Sequence, residues 1–332
     1  MTALIRQIQP VWAQLQQLES PVPAHALRTA LLALAAGVLA MAGLAAASTF
    51  WGPTQAWWLA VDGGSALVAG VQASLLAAVA TAVGALPVFV VQRIGKRQEA
   101  AFMAFSAGVM LAAAVFSLLL PSLEASRALV GGGGAAALFS GLGLALGMAL
   151  MFGIDRALPH EHAVLPPAAP GHAVAARPGD RAAQRAWLMV LALMIHNLPE
   201  GLAVGVAYAG PASADAVHGG AAVALAIGLQ NMPEGLIVAM ALRTLGLGAG
   251  KAWGVAALTG LAEPLGAMLG IAVLGSLPAL YPLGLALAAG AMIFVVSHEI
   301  IPETHRNGFE GAASATLLAG FVFMIWLNEA LA

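Results

Sequence analysis

His196-Asn197-Leu198-Pro199-Glu200-Gly201 sits inside an apolar run, and thirty-four residues later the pattern returns in the next run as Gln230-Asn231-Met232-Pro233-Glu234-Gly235. Neither copy belongs in hydrocarbon on its own account. An ionisable residue at the centre of a membrane helix costs about 2.5–3.5 kcal/mol for the worst residues on insertion scales, and proline removes a helical hydrogen bond. A chain that places histidine, amide, proline and carboxylate together at membrane depth twice uses them to bind something polar. These ligand types point to a metal cation.

The surrounding composition supports that depth. The chain has 332 residues, 61% hydrophobic and 8% charged, with a mean hydropathy of +0.91; a soluble domain carries about 25% charged residues. This is an all-α polytopic membrane protein whose surroundings are a lipid bilayer. The net charge of −2 says little about partners, and nucleic acid is not among those expected. Cysteine is absent, which excludes disulfides, thiolate metal sites and a thiol nucleophile. No organic cofactor is expected.

Apolar runs of about twenty residues mark membrane helices. Nine are read: 27–50, 64–91, 99–121, 134–157, 187–209, 219–242, 252–275, 281–301 and 311–331. Residues 1–26 read as a cytoplasmic segment without signal-peptide character, and 27–50 as an extra helix that carries no buried polar group. Residues 64–331 then form an eight-helix core. Residues 158–186 are its one long polar loop, flexible and cytoplasmic, with His160, Glu161, His162 and His172 among alanine and proline. That loop reads equally well as a solvated linker and as a weak metal-capturing segment.

Cytoplasmic loops retain lysine and arginine. With the N-terminus inside, Arg6, Arg28, Arg93, Lys96, Arg97, Arg156, Arg177, Arg181, Arg185, Arg243, Lys251 and Arg306 are all cytoplasmic, and Arg127 alone is outside. The orientation expected in a cell inner (plasma) membrane is therefore N-terminus in, C-terminus out. The cassettes fall near the middle of two antiparallel neighbours, as an inverted repeat would place them. Transporters often bind substrate between such repeats on interrupted helices.

Within each cassette the residues four apart, His196 with Glu200 and Gln230 with Glu234, share a helix face. Asn197 and Asn231 lie one residue on, about 100° round the helix. Pro199 and Pro233 cannot donate to the carbonyls of Ile195 and Leu229, and Gly201 and Gly235 leave room for close helix packing. Glu263, in Thr259-Gly260-Leu261-Ala262-Glu263-Pro264, is a third carboxylate at depth. Three like charges in one apolar region call for divalent cations. Imidazole, carboxylate and amide oxygen together suit zinc and its neighbours, with iron and manganese also plausible.

The paired HNLPEG and QNMPEG cassettes, the GLAEP segment around Glu263 and the run SHEIIPETHRNG at 297–308 resemble the ZIP (Zrt/Irt-like) family of metal-ion transporters, in its bacterial GufA-type branch. The resemblance covers most of the chain from about residue 64. It implies a two-part fold with inverted-repeat symmetry, a central metal site that is often binuclear, and a homodimer. It also implies movement of Zn2+, or of Cd2+, Fe2+ or Mn2+, toward the cytoplasm by an elevator-like sliding of a helix bundle. Carried over by position, one site takes His196, Glu200, Gln230 and Glu234 with Met110 nearby. A second takes Asn197, Asn231 and Glu263, bridged by Glu200 and Glu234. Some relatives have aspartate where this chain has Asn231, which leaves the second site less anionic here.

Other residues stand further from the centre. Met110 by itself reads as packing, and only the resemblance makes it a soft ligand. Ser117 and Glu124, near the outer end of the 99–121 helix, fit the receipt of metal from outside; Glu124 equally fits a solvated helix end. His298 and Glu299 lie toward the cytoplasmic end of their helix and fit an exit path, a role the resemblance favours. An intramembrane metalloprotease is the rival from another class, but an HExxH motif starting at His298 needs histidine at 302, where proline stands. An enzyme is therefore not expected. A selective channel built from the same residues is the nearer rival.

Overall fold

A computed structural model describes residues 66–91, 93–157, 178–210, 214–274, 277–305 and 308–331. Segment 1–26, the expected helix 27–50 and the loop residues His160, Glu161, His162 and His172 lie outside the described residues. The described chain is helical, as hydrocarbon requires of a segment that must satisfy its own backbone. The helices are α1 (Ala66–Ala85), α2 (Lys96–Ala112), α3 (Leu120–Val130), α4 (Gly133–Ala157), α5 (Pro178–Tyr208), α6 (Ala214–Thr244), α7 (Ala249–Thr259), α8 (Ala262–Leu274), α9 (Tyr281–Val295), α10 (Ile301–His305) and α11 (Glu310–Leu331).

These helices build seven runs long and apolar enough to cross a membrane among the described residues. Helix α5, with 31 residues and the first cassette, is long enough as well. The eight core spans thus match the expected runs, with different ends. The span expected at 99–121 reaches Val130, and the polar loop expected at 158–186 ends by Pro178, a proline at a first helical position, where its missing N–H costs nothing.

The longer span has a local cause. Between α2 and α3 the chain makes a π-helical stretch, Ala113–Leu119, and the Leu120 N–H donates to the Val115 carbonyl five residues back. Pro121 follows at once. A second π-helical stretch, Val296–Ile300, joins α9 to α10; Ile301 donates to Val296, and Pro302 follows. In a regular helix the proline ring collides with the carbonyl four residues back. The wider turn relieves that collision, and the helix continues past the proline. The span ends instead at Gly131 and Gly132, whose φ of 66° and 63° suits glycine.

Four helix pairs carry the packing: α1 with α6, α5 with α8, α2 with α11, and α4 with α9. Each is closed by glycine. A Cβ on Gly235 would strike the Thr81 carbonyl, on Gly201 that of Glu263, on Gly108 that of Leu317, and on Gly290 that of Leu144. Lipid offers little hydrophobic drive between helices, so close backbone approach through small residues supplies the cohesion. Both cassette glycines expected to serve this purpose do so. Helices α5 and α6 also touch each other, as do α1 and α8, so these four surround the cassettes.

Candidate metal centre

The site begins with a break in a span. Helices α7 and α8 are separated at Gly260–Leu261. Pro264 has no N–H to give the Gly260 carbonyl, so the Glu263 N–H bonds it instead at 3.1 Å. The Thr259 carbonyl, deprived of that donor, is met by Asn197 Nδ2 from α5 at 3.0 Å. Glu263 itself falls in the first turn of α8, where the helix dipole favours an anion. The proline after Glu263 thus places the carboxylate and fixes Asn197 as well.

Two amides then link two carboxylates. Gln230 Nε2 donates to Glu200 Oε1 in a short hydrogen bond and lies 3.4 Å from Asn231 Oδ1. Asn231 Nδ2 donates to Glu263 Oε1 at 2.8 Å and lies 3.3 Å from the Ala77 carbonyl of α1. One oxygen of each carboxylate is thereby held. The other is not: Glu200 Oε2, Glu263 Oε2 and Gln230 Oε1 are buried without a hydrogen-bond partner, and the buried Thr81 hydroxyl of α1 interacts with Glu263. Glu200 and Glu263 are fully buried. Buried polar atoms are nearly always paired, and three orphaned acceptor oxygens, on Glu200, Glu263 and Gln230, form an environment that a cation satisfies.

The third carboxylate, Glu234, is half-buried and accepts a 2.8 Å bond from Ser106 of α2. It interacts electrostatically with Glu200, Glu263 and His196. His196 Nε2 is 2.7 Å from Glu299 Oε2 in the second π-helical stretch. Met110 is buried on α2. Among the described residues no three histidine or acidic side chains already stand together as a ready metal-holding group. Each carboxylate is engaged by an amide or hydroxyl, and His196 by Glu299.

The outlying residues separate. Ser117 donates to Asn328 Oδ1 of α11 at 3.1 Å, and Glu124 is exposed. His298, also exposed, stacks on Phe294 and lies 3.6 Å from Asp155 Oδ2 of α4. Ser106, Thr81 and Asp155 were not picked out by pattern. For Ser106 a signal existed: it precedes Met110 by four residues and shares its helix face. A threonine or aspartate without a motif carries none.

An all-helical, multi-pass membrane protein with a buried centre of carboxylates, amides and imidazole is the class that fold and site define. The profile of the ZIP zinc transporter family matches residues 172–328. Zinc transporter ZIPB of Bordetella bronchiseptica is 45% identical over 254 residues, 76% of this chain and 78% of that protein. Zinc transporter GufA of Myxococcus xanthus is 43% identical over 263 residues, covering 79% and 99%. Zinc transporter ZIP11 of Homo sapiens is 33% identical over 321 residues, covering 76% and 94%. The chain belongs to the ZIP family of zinc transporters, which are transporters and not enzymes.

Proposed function

We propose that the protein moves divalent transition-metal ions, zinc foremost, across a cell inner membrane toward the cytoplasm. The observation that carries this is the set of buried acceptor oxygens without donors on Glu200, Glu263 and Gln230, among the four helices that surround the cassettes. The names of the relatives supply the cargo, zinc. Cadmium, iron and manganese are alternative cargoes of the same ligand chemistry.

His196, Glu200, Gln230 and Glu234 hold one ion, with Met110 beside them. Asn197, Asn231 and Glu263 hold a second, with Glu200 and Glu234 shared. Asn231 adds an oxygen but no charge. Two divalent ions against three carboxylates leave +1 (+4 − 3), so the site containing His196 fills first and the Asn231 site is weaker. The metal must break or share the bonds that Gln230 makes to Glu200 and Glu299 makes to His196. These are single hydrogen bonds to charged groups, each worth about 1.5–3 kcal/mol, and coordination replaces them.

The transport step is an elevator-like slide of α1, α5, α6 and the α7–α8 span against the remaining helices. Its support is the pairing pattern. Taking the eight spans in order, exchange of first with sixth, second with seventh, third with eighth and fourth with fifth carries the α1–α6 pair onto α8–α5 and the α2–α11 pair onto α9–α4. The same exchange carries one π-helical stretch with its proline onto the other. Such a pattern favours an inverted repeat. Ser117 and Glu124 lie on the outer side of this path, His298 and Glu299 on the cytoplasmic side. The assembly is a homodimer.

Uptake into proteoliposomes across Zn2+, Cd2+, Fe2+ and Mn2+ tests the reading. Saturable zinc uptake, lost in His196→Ala and in Glu234→Ala at equal protein level, is expected. Zinc binding without flux would overturn transport, and rates far above about 10³ per second would favour a channel, since domain-scale motions take μs–ms.

A further inference from the structure

Ser106 lies in the apolar helix α2 and is buried. Hydroxyls in such helices usually bond a carbonyl of their own helix one turn back. Ser74, Ser297 and Thr316 do so here, at 2.7–2.9 Å to Val71, Ile293 and Ala312. The Ser106 hydroxyl reaches to the neighbouring helix α6 instead, 2.8 Å from Glu234 Oε1 and 3.3 Å from the Gln230 carbonyl. It has one proton to give, and the shorter contact to a carboxylate takes it. Both acceptors belong to the second cassette.

We propose that Ser106 is a positioning residue of the metal centre: it holds Oε1 of Glu234 so that the other carboxylate oxygen faces the cation. The assignment rests on the metal-transport reading above and deepens it. Carboxylates that ligate metal are commonly oriented by a hydrogen bond to the oxygen the metal does not use, and losing that partner typically costs about 10–100-fold in metal affinity. Ser106 and Met110 share one face of α2, so this helix brings an orienting hydroxyl and a thioether to the same side of the centre. The helix that packs against the cassettes thereby helps set their affinity without itself carrying a charged ligand.

The full-length protein in detergent is titrated with Zn2+ by calorimetry and assayed for zinc uptake in liposomes. Ser106→Ala is expected to weaken zinc binding about tenfold and to raise the half-saturating zinc concentration, with the maximal rate less affected. Ser106→Thr, which keeps the hydroxyl, stays near the parent. In a Glu234→Asp background, whose carboxylate is one methylene short of the hydroxyl, Ser106→Ala adds nothing further; a merely structural loss would add in full. Parent-like affinity in Ser106→Ala, or an undiminished further loss in the Glu234→Asp background, overturns the assignment. Absence of zinc binding by the parent protein would overturn the transport reading itself and take this assignment with it.

Discussion

His196 Nε2 and Glu299 Oε2 stand 2.7 Å apart, joining α5 to the π-helical stretch between α9 and α10. The pair spans a first-cassette residue and a residue of the proposed exit path. One nitrogen cannot hold both a carboxylate partner and a cation. Pairing with Glu299 and binding of metal at this nitrogen of His196 are therefore alternatives.

Opposite effects at the two ends of this pair follow. His196→Ala removes a proposed ligand and is expected to abolish most zinc binding and uptake. Glu299→Gln removes the competing charge, and zinc should bind more tightly, by up to about 100-fold if the whole of one charge-assisted hydrogen bond is lost. Calorimetry on both variants decides it; weakening by Glu299→Gln would make Glu299 a ligand and not a competitor.

Asn231→Asp tests the charge balance. Asn231 now donates 2.8 Å to Glu263 Oε1, and aspartate cannot. Without metal the variant faces Glu263 with a second carboxylate and should melt lower than the parent, by about 1–3 kcal/mol of lost stability. With two divalent ions the cluster becomes neutral, so zinc should raise its melting temperature more than it raises the parent's. An equal zinc-induced shift in both proteins would show that charge does not govern occupancy of the second site.

Helix closure at the centre depends on Gly201. Its Cβ would collide with the Glu263 carbonyl across the α5–α8 contact, whereas Gly254 on α7 has nothing within 4 Å. Gly201→Ala is expected to cost about 1–3 kcal/mol by overpacking and to displace Glu263, lowering both thermal stability and zinc affinity. Gly254→Ala serves as the control and should lower neither. Thermal melts in detergent with and without Zn2+ provide the comparison.

Acid should weaken zinc binding. Imidazole and carboxylates coordinate in their deprotonated forms, so metal binding releases protons and protons compete with metal. Affinity is expected to fall steadily between about pH 7.5 and about pH 5, and calorimetry in buffers of different ionisation enthalpy should detect the released protons. An affinity constant over that range would argue against direct coordination by His196 and the glutamates.

Orientation is testable by fusion. The partition of basic residues, with Arg127 alone outside, predicts that a reporter between residues 158 and 177 is cytoplasmic and one at the C-terminus is outside. A loop reporter found outside would invert the topology and the proposed direction of transport.

Hydropathy alone located the eight core spans, because transfer of each side chain to lipid is a local property of the residue sequence. The cassettes and Glu263 were legible for the same reason, as polar groups standing out against an apolar background. Span ends were less so: the passage of α2 into α3 beyond Pro121, and of α9 into α10 beyond Pro302, depends on a π-helical turn that hydropathy does not register. Pairing beyond the two antiparallel cassette helices was not legible. That Asn197 caps Thr259, that Asn231 bonds Glu263, that His196 meets Glu299 and that Ser106 holds Glu234 are consequences of which helices lie together. The glycine contacts of α1 with α6 and α5 with α8 decide that neighbourhood. A serine in an apolar helix reads the same whether it bonds its own backbone or a ligand's carboxylate, and only the helix packed against it tells the two apart.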